Sequence, residues 1–523
     1  MILSAPTRID LLDAALSCFA AEGFEATTMG KIAEAAGVPL ATAFLHYPSK
    51  HAFALALYQG VVTDLQARLA DLPRGSVAER FAALMSLKLD SLDAHRDAMR
   101  ALLAAAVDSK GPVGVLSEST AAIRARMSGA VHAVVVGAVD APPDAARLAG
   151  LLYGVHLALV LLWTQDEDGR MARAAVGLCR ELLEMAGPLL AMPMMTERLG
   201  RLDAVFGDRL SPVVSADVER RSRWLLARLM RHRRLLPGAV VTGGEPTEEE
   251  LSLHLPLIRA ALAGESPIEL VLPAFPAKSP SPRKVLGKLP DMAERVALRS
   301  LQTLCEELAE AHPPGVRMRL CSDGLVFADV VSVSDEDVGA YGAEIDRLIE
   351  ELPLLRRFDL AHVFGNATPE EARRRLLAGW GESESELVEQ ARVSPSLGAQ
   401  LDGLHRFMFE DGVALHPELS RTQARKQART QAIQVLLRSR AWGRLLASTF
   451  PLAIRLSIHP QPAVSDKLGI HLLPTQDAWL TPWHGVALLD RERFRLVKRA
   501  EAEELGASVV DVDGRASHYV VTA

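Results

Sequence analysis

The spacing of apolar residues changes once along this chain, and that change limits the folds open to it. From residue 7 to about 190 apolar residues recur at helical spacing, as Ile9, Leu12, Leu16 and Phe19 do, and no strand is predicted. After about residue 240 short apolar runs alternate with helical stretches. Strands are predicted over 268–275, 316–320, 358–363, 452–458, 468–473 and 485–489. Helices are predicted over 291–310 and 335–352, with a mainly helical region from 367 to 447. Such alternation implies an α/β layer structure with a partly parallel sheet. At 523 residues there is room for about three domains of ~150 residues each.

Local signals agree with the helical reading of the first half. Gly23 stands at a helix stop, Thr28 at a cap and Gly37 in a tight turn. A short third helix is expected from Pro39 to Leu45, with the proline in its first turn, and Pro48-Ser49-Lys50 opens a fourth. The stretches 143–164 and 170–189 are apolar on more than one face, so they must be buried in a core or against a partner. Residues 193–237, with Arg231, Arg233 and Arg234 near the end, read as a connector holding a helix or two.

Composition excludes several classes. A chain 49% hydrophobic and 24% charged, with mean hydropathy +0.13, is neither disordered nor collagen-like. A net charge of -7 and a pI near 6.1 exclude a surface basic throughout, but not one small DNA-reading module. Cys18, Cys179, Cys305 and Cys321 are scattered without a CxxC pair, which speaks against a disulfide framework or zinc site and fits a reducing cytoplasm. Arg8, Asp10 and Asp13 do not read as a signal peptide. The apolar run Leu148–Trp163, interrupted by His156, is expected to fall short of the ~20 residues of a membrane span. No GxGxxG after a strand, GxxxxGK[ST], HExxH or GxSxG occurs. His459, His471 and His484 stand 12 and 13 residues apart, and nothing local sets a ligand geometry, so no metal is expected.

Residues 7–58 carry Leu12, Ala15, Phe19, Gly23, Thr27-Thr28, Ile32-Ala33, Ala36-Gly37-Val38, Thr42, Phe44 and Tyr47-Pro48-Ser49-Lys50. In this pattern the stretch resembles the DNA-binding domain of TetR-family transcriptional regulators, a helix-turn-helix that sets a helix in the major groove. The resemblance implies an all-helical remainder to about 190 whose last two helices make a homodimer. It also implies operator DNA as a partner, contacted by Thr28, Thr42, Phe44, His46 and Lys50. Phe44 and His46 stand where the family usually has tyrosines. Residues 1–60 hold Arg8, Lys31 and Lys50 against Asp10, Asp13, Glu22, Glu25 and Glu34, a poor footprint for phosphate. Two readings stay open, DNA binding and a scaffold that only dimerises the chain.

The second half carries Pro273-Ala-Phe-Pro-Ala-Lys-Ser-Pro280, Leu286-Gly-Lys-Leu-Pro-Asp291, Ser322-Asp-Gly324 with Phe327 and Asp329, Arg455-Leu-Ser-Ile-His-Pro460, Lys467 and Trp479-Leu-Thr-Pro-Trp-His-Gly485. These motifs, in order over about 300 residues, resemble the isocyanide (isonitrile) synthases of the pyoverdine/dityrosine biosynthesis family. The resemblance implies an enzyme that turns the amino nitrogen of an L-amino acid, often Tyr or Trp, into an isocyanide. The added carbon comes from ribulose 5-phosphate, and no redox cofactor or metal is implied.

The residues suit that chemistry. Lys278, Asp323 and His459 each follow a predicted strand, where α/β proteins bind ligands. Arg283, Lys284 and Lys288 make a basic loop suited to phosphate, or a solvated loop. Arg455, Ser457 and His459 alternate, so they share one strand face, as a polar site or as an ion-pair network. His459 and then His484 are the expected general acid/base groups, with Lys278 and Asp323 also catalytic. Arg283, Lys284, Lys288, Arg455, Ser457, Lys467 and Trp483 are expected to bind substrate. Trp483 either stacks on an aromatic substrate or fills the core. Arg406, Asp411, Ser420, Arg421 and Lys426 are weaker candidates.

The fold class expected is therefore multidomain: an all-α TetR-like helix-turn-helix (1–60), a helical ligand and dimerisation domain (61–192), a connector (193–237), and an α/β Rossmann-like synthase domain with a helical insertion (238–523). The function expected is a cytoplasmic, homodimeric isocyanide synthase joined to a regulator domain, with no membrane partner. The alternative is a regulator whose synthase-like half senses an amino acid or sugar phosphate without turnover.

Overall fold

A computed structural model describes residues 8–108, 111–142, 144–190, 216–236, 246–365, 367–477 and 479–521. Contacts divide the chain into two units, Met1–Ala227 with Val241–Gly264 and Val464–Asp466, and Arg228–Val240 with Glu265–Ala463 and Lys467–Ala523.

The first unit is helical. Helix α1 (Arg8–Glu22) ends at Gly23, whose φ of +86° suits glycine and whose N–H donates to the Phe19 carbonyl at 2.9 Å. Thr28 caps α2 (Met29–Ala35), its side chain accepting from the Lys31 N–H at 3.3 Å. Gly37, at φ +67°, makes the turn into α3 (Leu40–His46). Pro39 is the N-cap of α3 rather than part of its first turn. Ser49 precedes α4 (Lys50–Ala67). Phe19, Ile32, Tyr47 and Phe53 are buried together and fix these helices on one another.

The same core continues through α5 (Val77–Asp93), α6 (Arg96–Val107), α7 (Ala121–Val136), α8 (Ala145–Gln165) and α9 (Arg170–Leu190). By length and composition α8 is long and apolar enough to cross a membrane, so the expectation that this stretch falls short is corrected. It is nevertheless a core helix of this unit, burying Leu148, Leu152, Tyr153, His156, Leu159 and Trp163. Helix α9 differs, since Met171, Leu178, Leu182, Met185 and Leu189 are exposed along it. Of the expected connector, residues 193–215 lie outside the described residues, and the next segment is α10 (Ala216–Met230). Short helices α11 (Glu248–Ser252) and α12 (Leu255–Ala263) pack on α7, where Glu249 pairs with buried Arg80 at 2.5 Å.

In the second unit β1 (Ile268–Pro273), α13 (Met292–Ala309), β2 (Val316–Cys321), α14 (Gly324–Phe327), α15 (Asp335–Ile349) and β3 (Leu355–Phe358) follow in order. The helical region then holds α16 (Leu360–Phe364), α17 (Pro369–Trp380), α18 (Glu384–Val393), α19 (Pro395–Leu415) and α20 (Arg421–Thr449). Strands β4 (Ile454–Ser457) and β5 (Lys467–Gly469) complete a parallel sheet of order β3-β2-β1-β4-β5. Central β1 pairs Leu270 with Met318 on one side and Ile454 on the other. Buried on both faces, it reads as a nearly continuous apolar run.

The strand expected over 358–363 is corrected: it ends at Phe358. Asp359 turns the chain by accepting from the N–H groups of Ala361 (2.9 Å) and His362 (3.3 Å), which starts α16. A second sheet, unforeseen beyond its first strand, joins β6 (Val486–Asp490), β7 (Arg493–Val497), β8 (Ser508–Val512) and β9 (Arg515–Val520) in the order β7-β6-β9-β8, with α21 (Arg499–Glu504) between β7 and β8. Asp513-Gly514, both at positive φ, turn β8 into β9.

Candidate active site

The strand order reverses between β1 and β4, and a cavity of about 170 Å³ opens at the carboxyl ends of the strands there. Two backbone features shape it. Phe275 holds φ +56°, a costly conformation for a bulky residue, and the Ser322 hydroxyl pins it by donating to its carbonyl at 2.8 Å. Gly324 packs so closely that a Cβ there would lie 2.0 Å from the Pro276 carbonyl oxygen. The loops after β1 and β2 are thereby locked together.

Lys278, Asp323, Arg455, Ser457, His459, Lys467, Trp483 and His484 all line this cavity. Asp323 follows β2 and is buried, with Oδ1 lacking any hydrogen-bond partner, and burial pushes its carboxyl up to about 7. It is therefore a group that exchanges a proton near neutrality. His459 leaves Nδ1 unpartnered, and its ring lies 5.6 Å from that of Trp479. Burial, then the charges of Arg234 and Lys467, lower it to about 4. His484 stacks on Phe407 at 5.5 Å, and its Nδ1 lies 2.9 Å from the Thr481 hydroxyl. Burial, then Lys284, His459 and Lys278, hold it well below its usual value. Both imidazoles are neutral at pH 7, available as bases or hydrogen-bond partners but not as stored acids.

Cations gather on the β4–β5 side. Arg455 faces Lys467 across the pair, and a Cβ on Gly443 of α20 would lie 3.3 Å from Arg455 Nη2 and 3.9 Å from Lys467 Nζ. Arg455 Nη2 donates to the Gly443 carbonyl at 3.2 Å. Ser457 accepts from the His459 N–H and from Gln461 Nε2, each at 3.1 Å, and so holds the turn that carries His459.

Lys278 is fully engaged. Its ammonium lies 2.8 Å from both Asp291 and Glu294 and donates to the Pro482 carbonyl at 3.2 Å. Asp291 caps α13, accepting from the Ala293 N–H, and Glu294 returns to the Asp291 N–H. Tyr341 donates to Glu294, whose carboxyl burial raises to about 7. Sequence reasoning missed Glu294 and Tyr341; the capping pattern Asp291-x-x-Glu294 was the legible signal. It also read Arg234 only as part of a basic connector. Arg234 is buried and donates to the carbonyls of Ile458 (2.7 Å), Leu480 (3.0 Å) and Asp477 (3.1 Å), tying together the two segments that carry His459 and His484.

The basic loop does not gather around the cavity. Arg283 is exposed, and Lys288 is exposed and pairs with Asp337 at 2.8 Å. Lys284 turns inward, 2.8 Å from Asp411, which lines the cavity. Arg406 pairs with Asp477, Ser420 caps α20, and Arg421 and Lys426 are exposed. Trp483 is 2% exposed and lies 5.3 Å from Phe275, so it serves as both core and cavity wall. Among the described residues no group of three His, Cys, Asp or Glu side chains is placed to hold a metal ion.

A family model described as pyoverdine/dityrosine biosynthesis protein matches residues 258–510. An L-tyrosine isonitrile synthase of Pseudomonas aeruginosa is 41% identical over 307 residues, 57% of this chain and 94% of that protein. The chain belongs to the pyoverdine/dityrosine biosynthesis family. Its C-terminal half is that of an isonitrile synthase. The L-tryptophan isonitrile synthase AmbI1 of Fischerella ambigua is 38% identical over 303 residues, 58% of this chain and 95% of that protein. The crystal structure of the PvcA protein from Pseudomonas aeruginosa superposes with a TM-score of 0.55 at 40% identity, covering 57% of this chain and 99% of that one. A second family model, for the bacterial regulatory proteins of the tetR family, matches residues 11–57.

The TetR part has a weak cationic face. Leu40 and Phe44 of α3 are exposed, and Thr42 and His46 are half-buried. Lys50 is drawn inward: Nζ donates to the carbonyls of Phe24 (2.9 Å) and Glu25 (3.1 Å) and sits 4.6 Å above the Phe24 ring. Lys31 pairs with Glu22 at 2.5 Å, Thr28 is spent on its cap, and the side chain of Arg8 lies outside the described residues.

Proposed function

We propose that the synthase half converts the amino nitrogen of an aromatic L-amino acid, tyrosine or tryptophan, into an isocyanide, with ribulose 5-phosphate as carbon donor. The observation that carries the reading is Asp323, a buried carboxyl with an unpartnered oxygen, poised near pH 7 in a cavity walled by Phe327, Phe407, Trp479 and Trp483. Ionised Asp323 takes a proton from the substrate ammonium and frees the nitrogen for attack on the ketone. Arg455 and Lys467 receive the phosphate, and neutral His459 and His484 move protons in the later steps. Lys278 acts as a positioning residue through Asp291 and Glu294. The strand order β3-β2-β1-β4-β5 supports a Rossmann-like description of the sheet. The kinship to named tyrosine and tryptophan isonitrile synthases supports an aromatic substrate.

The TetR part gives the chain an operator as a second partner, and the exposed apolar stripe on α9 supports a homodimer. A cytoplasmic enzyme fits both, and so does the domain division at 60, 192 and 237. Incubating the full chain with ribulose 5-phosphate and a panel of L-amino acids tests the central claim. An isocyanide product from tyrosine or tryptophan is expected by mass spectrometry. No isocyanide from any amino acid would leave a ligand-sensing regulator as the reading.

A further inference from the structure

A second cavity, about 290 Å³, lies inside the helical unit between α4, α5, α6, α7 and α8. Its volume is close to the lower end of the roughly 300–1,000 Å³ of small-molecule sites. Most of its wall is apolar, from Val61, Leu92, Met99, Met127 and Val160 among others. Set into that wall are polar groups that the fold leaves unsatisfied. Lys88 is buried, and among the described residues its ammonium meets one hydrogen-bond partner, the Met127 sulfur at 3.9 Å. The Tyr58 hydroxyl and both ring nitrogens of His156 are buried without partners. Arg124 also reaches the cavity, donating through Nη1 to the carbonyls of Ser117 and Val115 (the latter at 3.2 Å) and to the Thr120 hydroxyl (2.9 Å), while its buried Nε has no partner. Among the described residues no aspartate or glutamate lines the cavity.

An isolated buried cation is costly, and a structural lysine finds a carboxylate, as Lys278 does. Burial lowers Lys88 to about 8, which leaves it charged at neutral pH, and it lowers His156 to about 3, which leaves that ring neutral. Two cations, a hydroxyl donor and a neutral imidazole in an apolar chamber without acids make a receptor for one anionic group attached to an apolar body. The same arrangement disfavours an ammonium group, because the wall sets two cations against it and, among the described residues, offers no carboxylate.

We infer that this cavity binds an aromatic carboxylate lacking an ammonium group, with the carboxylate on Lys88 and Tyr58 and the ring among the apolar residues. The reaction proposed above makes such a compound. It alters only the amino nitrogen, so the zwitterionic amino acid becomes an anion that keeps its carboxylate and has lost its ammonium. The helical unit therefore distinguishes product from substrate by charge. Naming the ligand as product rests on the proposed reaction, whereas the charge recognition rests on the cavity alone.

The test is isothermal titration of the full chain with indole-3-propionate and with its primary amide, in excess L-tryptophan to fill the amino-acid site of the synthase half. The acid is expected to bind at least about tenfold tighter than the amide, as for a hydrogen bond to a charged group. Lys88→Met is expected to weaken the acid by a similar factor, spare the amide and leave isocyanide turnover unchanged. Equal affinity for acid and amide in the wild type overturns the inference. So does Lys88→Met binding the acid as tightly as wild type while keeping its circular dichroism. If Lys88→Met does not fold, the acid-to-amide ratio of the wild type decides. Acid recognition without any isocyanide activity would sink the proposed reaction and leave the site standing.

Discussion

Replacing Asp323 with asparagine separates a catalytic carboxyl from a structural one, because the two roles predict opposite signs. The side chain is buried, Oδ1 has no partner, and burial raises its carboxyl from 3.8 to about 7. Asparagine keeps the shape and removes the charge. The gap of roughly three pH units corresponds to about 4 kcal/mol between the two protonation states. Below pH 4 the acid is neutral in both folded and unfolded chains, and its contribution to stability is intact. Between about 4 and 7 the unfolded chain ionises while the folded one does not, so stability is progressively lost; above 7 the folded chain holds the buried charge. Asp323→Asn should therefore raise the melting temperature at pH 8 by several degrees, and by roughly half as much at pH 5.5. Turnover should fall ~10²–10⁴-fold, the usual cost of losing a general base. In the wild type kcat/KM should rise with pH through about 7, and the variant should lose that limb. Isocyanide formation by mass spectrometry and thermal melts at the two pH values provide the readouts. A variant that melts lower at pH 8, or that turns over within a few-fold of wild type, would falsify the assignment of Asp323 as the base.

Further outcomes are expected. Lys278→Met leaves Asp291 and Glu294 buried beside one another without their cation, so it should cost about 3–5 kcal/mol; an unchanged melting temperature would mean that the cluster is not the prop it looks like. Leu182→Arg and Met185→Arg lie on the exposed face of α9 and should give a folded monomer by light scattering, whereas a surviving dimer would place the contact elsewhere. Leu152→Arg instead should unfold the helical unit, since that side chain belongs to its own core. Binding of the upstream region by gel shift should show a shallow salt dependence, no steeper than a slope of about -5 for six phosphates. With Lys31 on Glu22 and Lys50 on backbone carbonyls, a steeper slope would show that cations beyond residues 1–60 reach the DNA.

The sequence by itself determined the two textures of the chain, since helical and strand periodicities are local properties of side-chain spacing. It also determined the helix-turn-helix stops at Gly23 and Gly37, and the strand ends where Lys278, Asp323 and His459 stand. Those residues converge because parallel strands bring their carboxyl ends to one edge, a rule of topology that needs no coordinates. Only the tertiary structure decided what each charge meets. Lys278 and Lys284 come from one loop, yet one is locked between Asp291 and Glu294 and the other turns to Asp411, while Lys288 stays in solvent. Arg234 reads in sequence as part of a basic connector and is a buried clasp on three carbonyls. The second sheet escaped notice because its strands are short and partly exposed, although Asp513-Gly514 marked a hairpin. No motif in the sequence sets Lys88, Tyr58 or His156 apart. Burial without a partner is a property of three dimensions, set by which helices enclose a side chain and by what they fail to offer it.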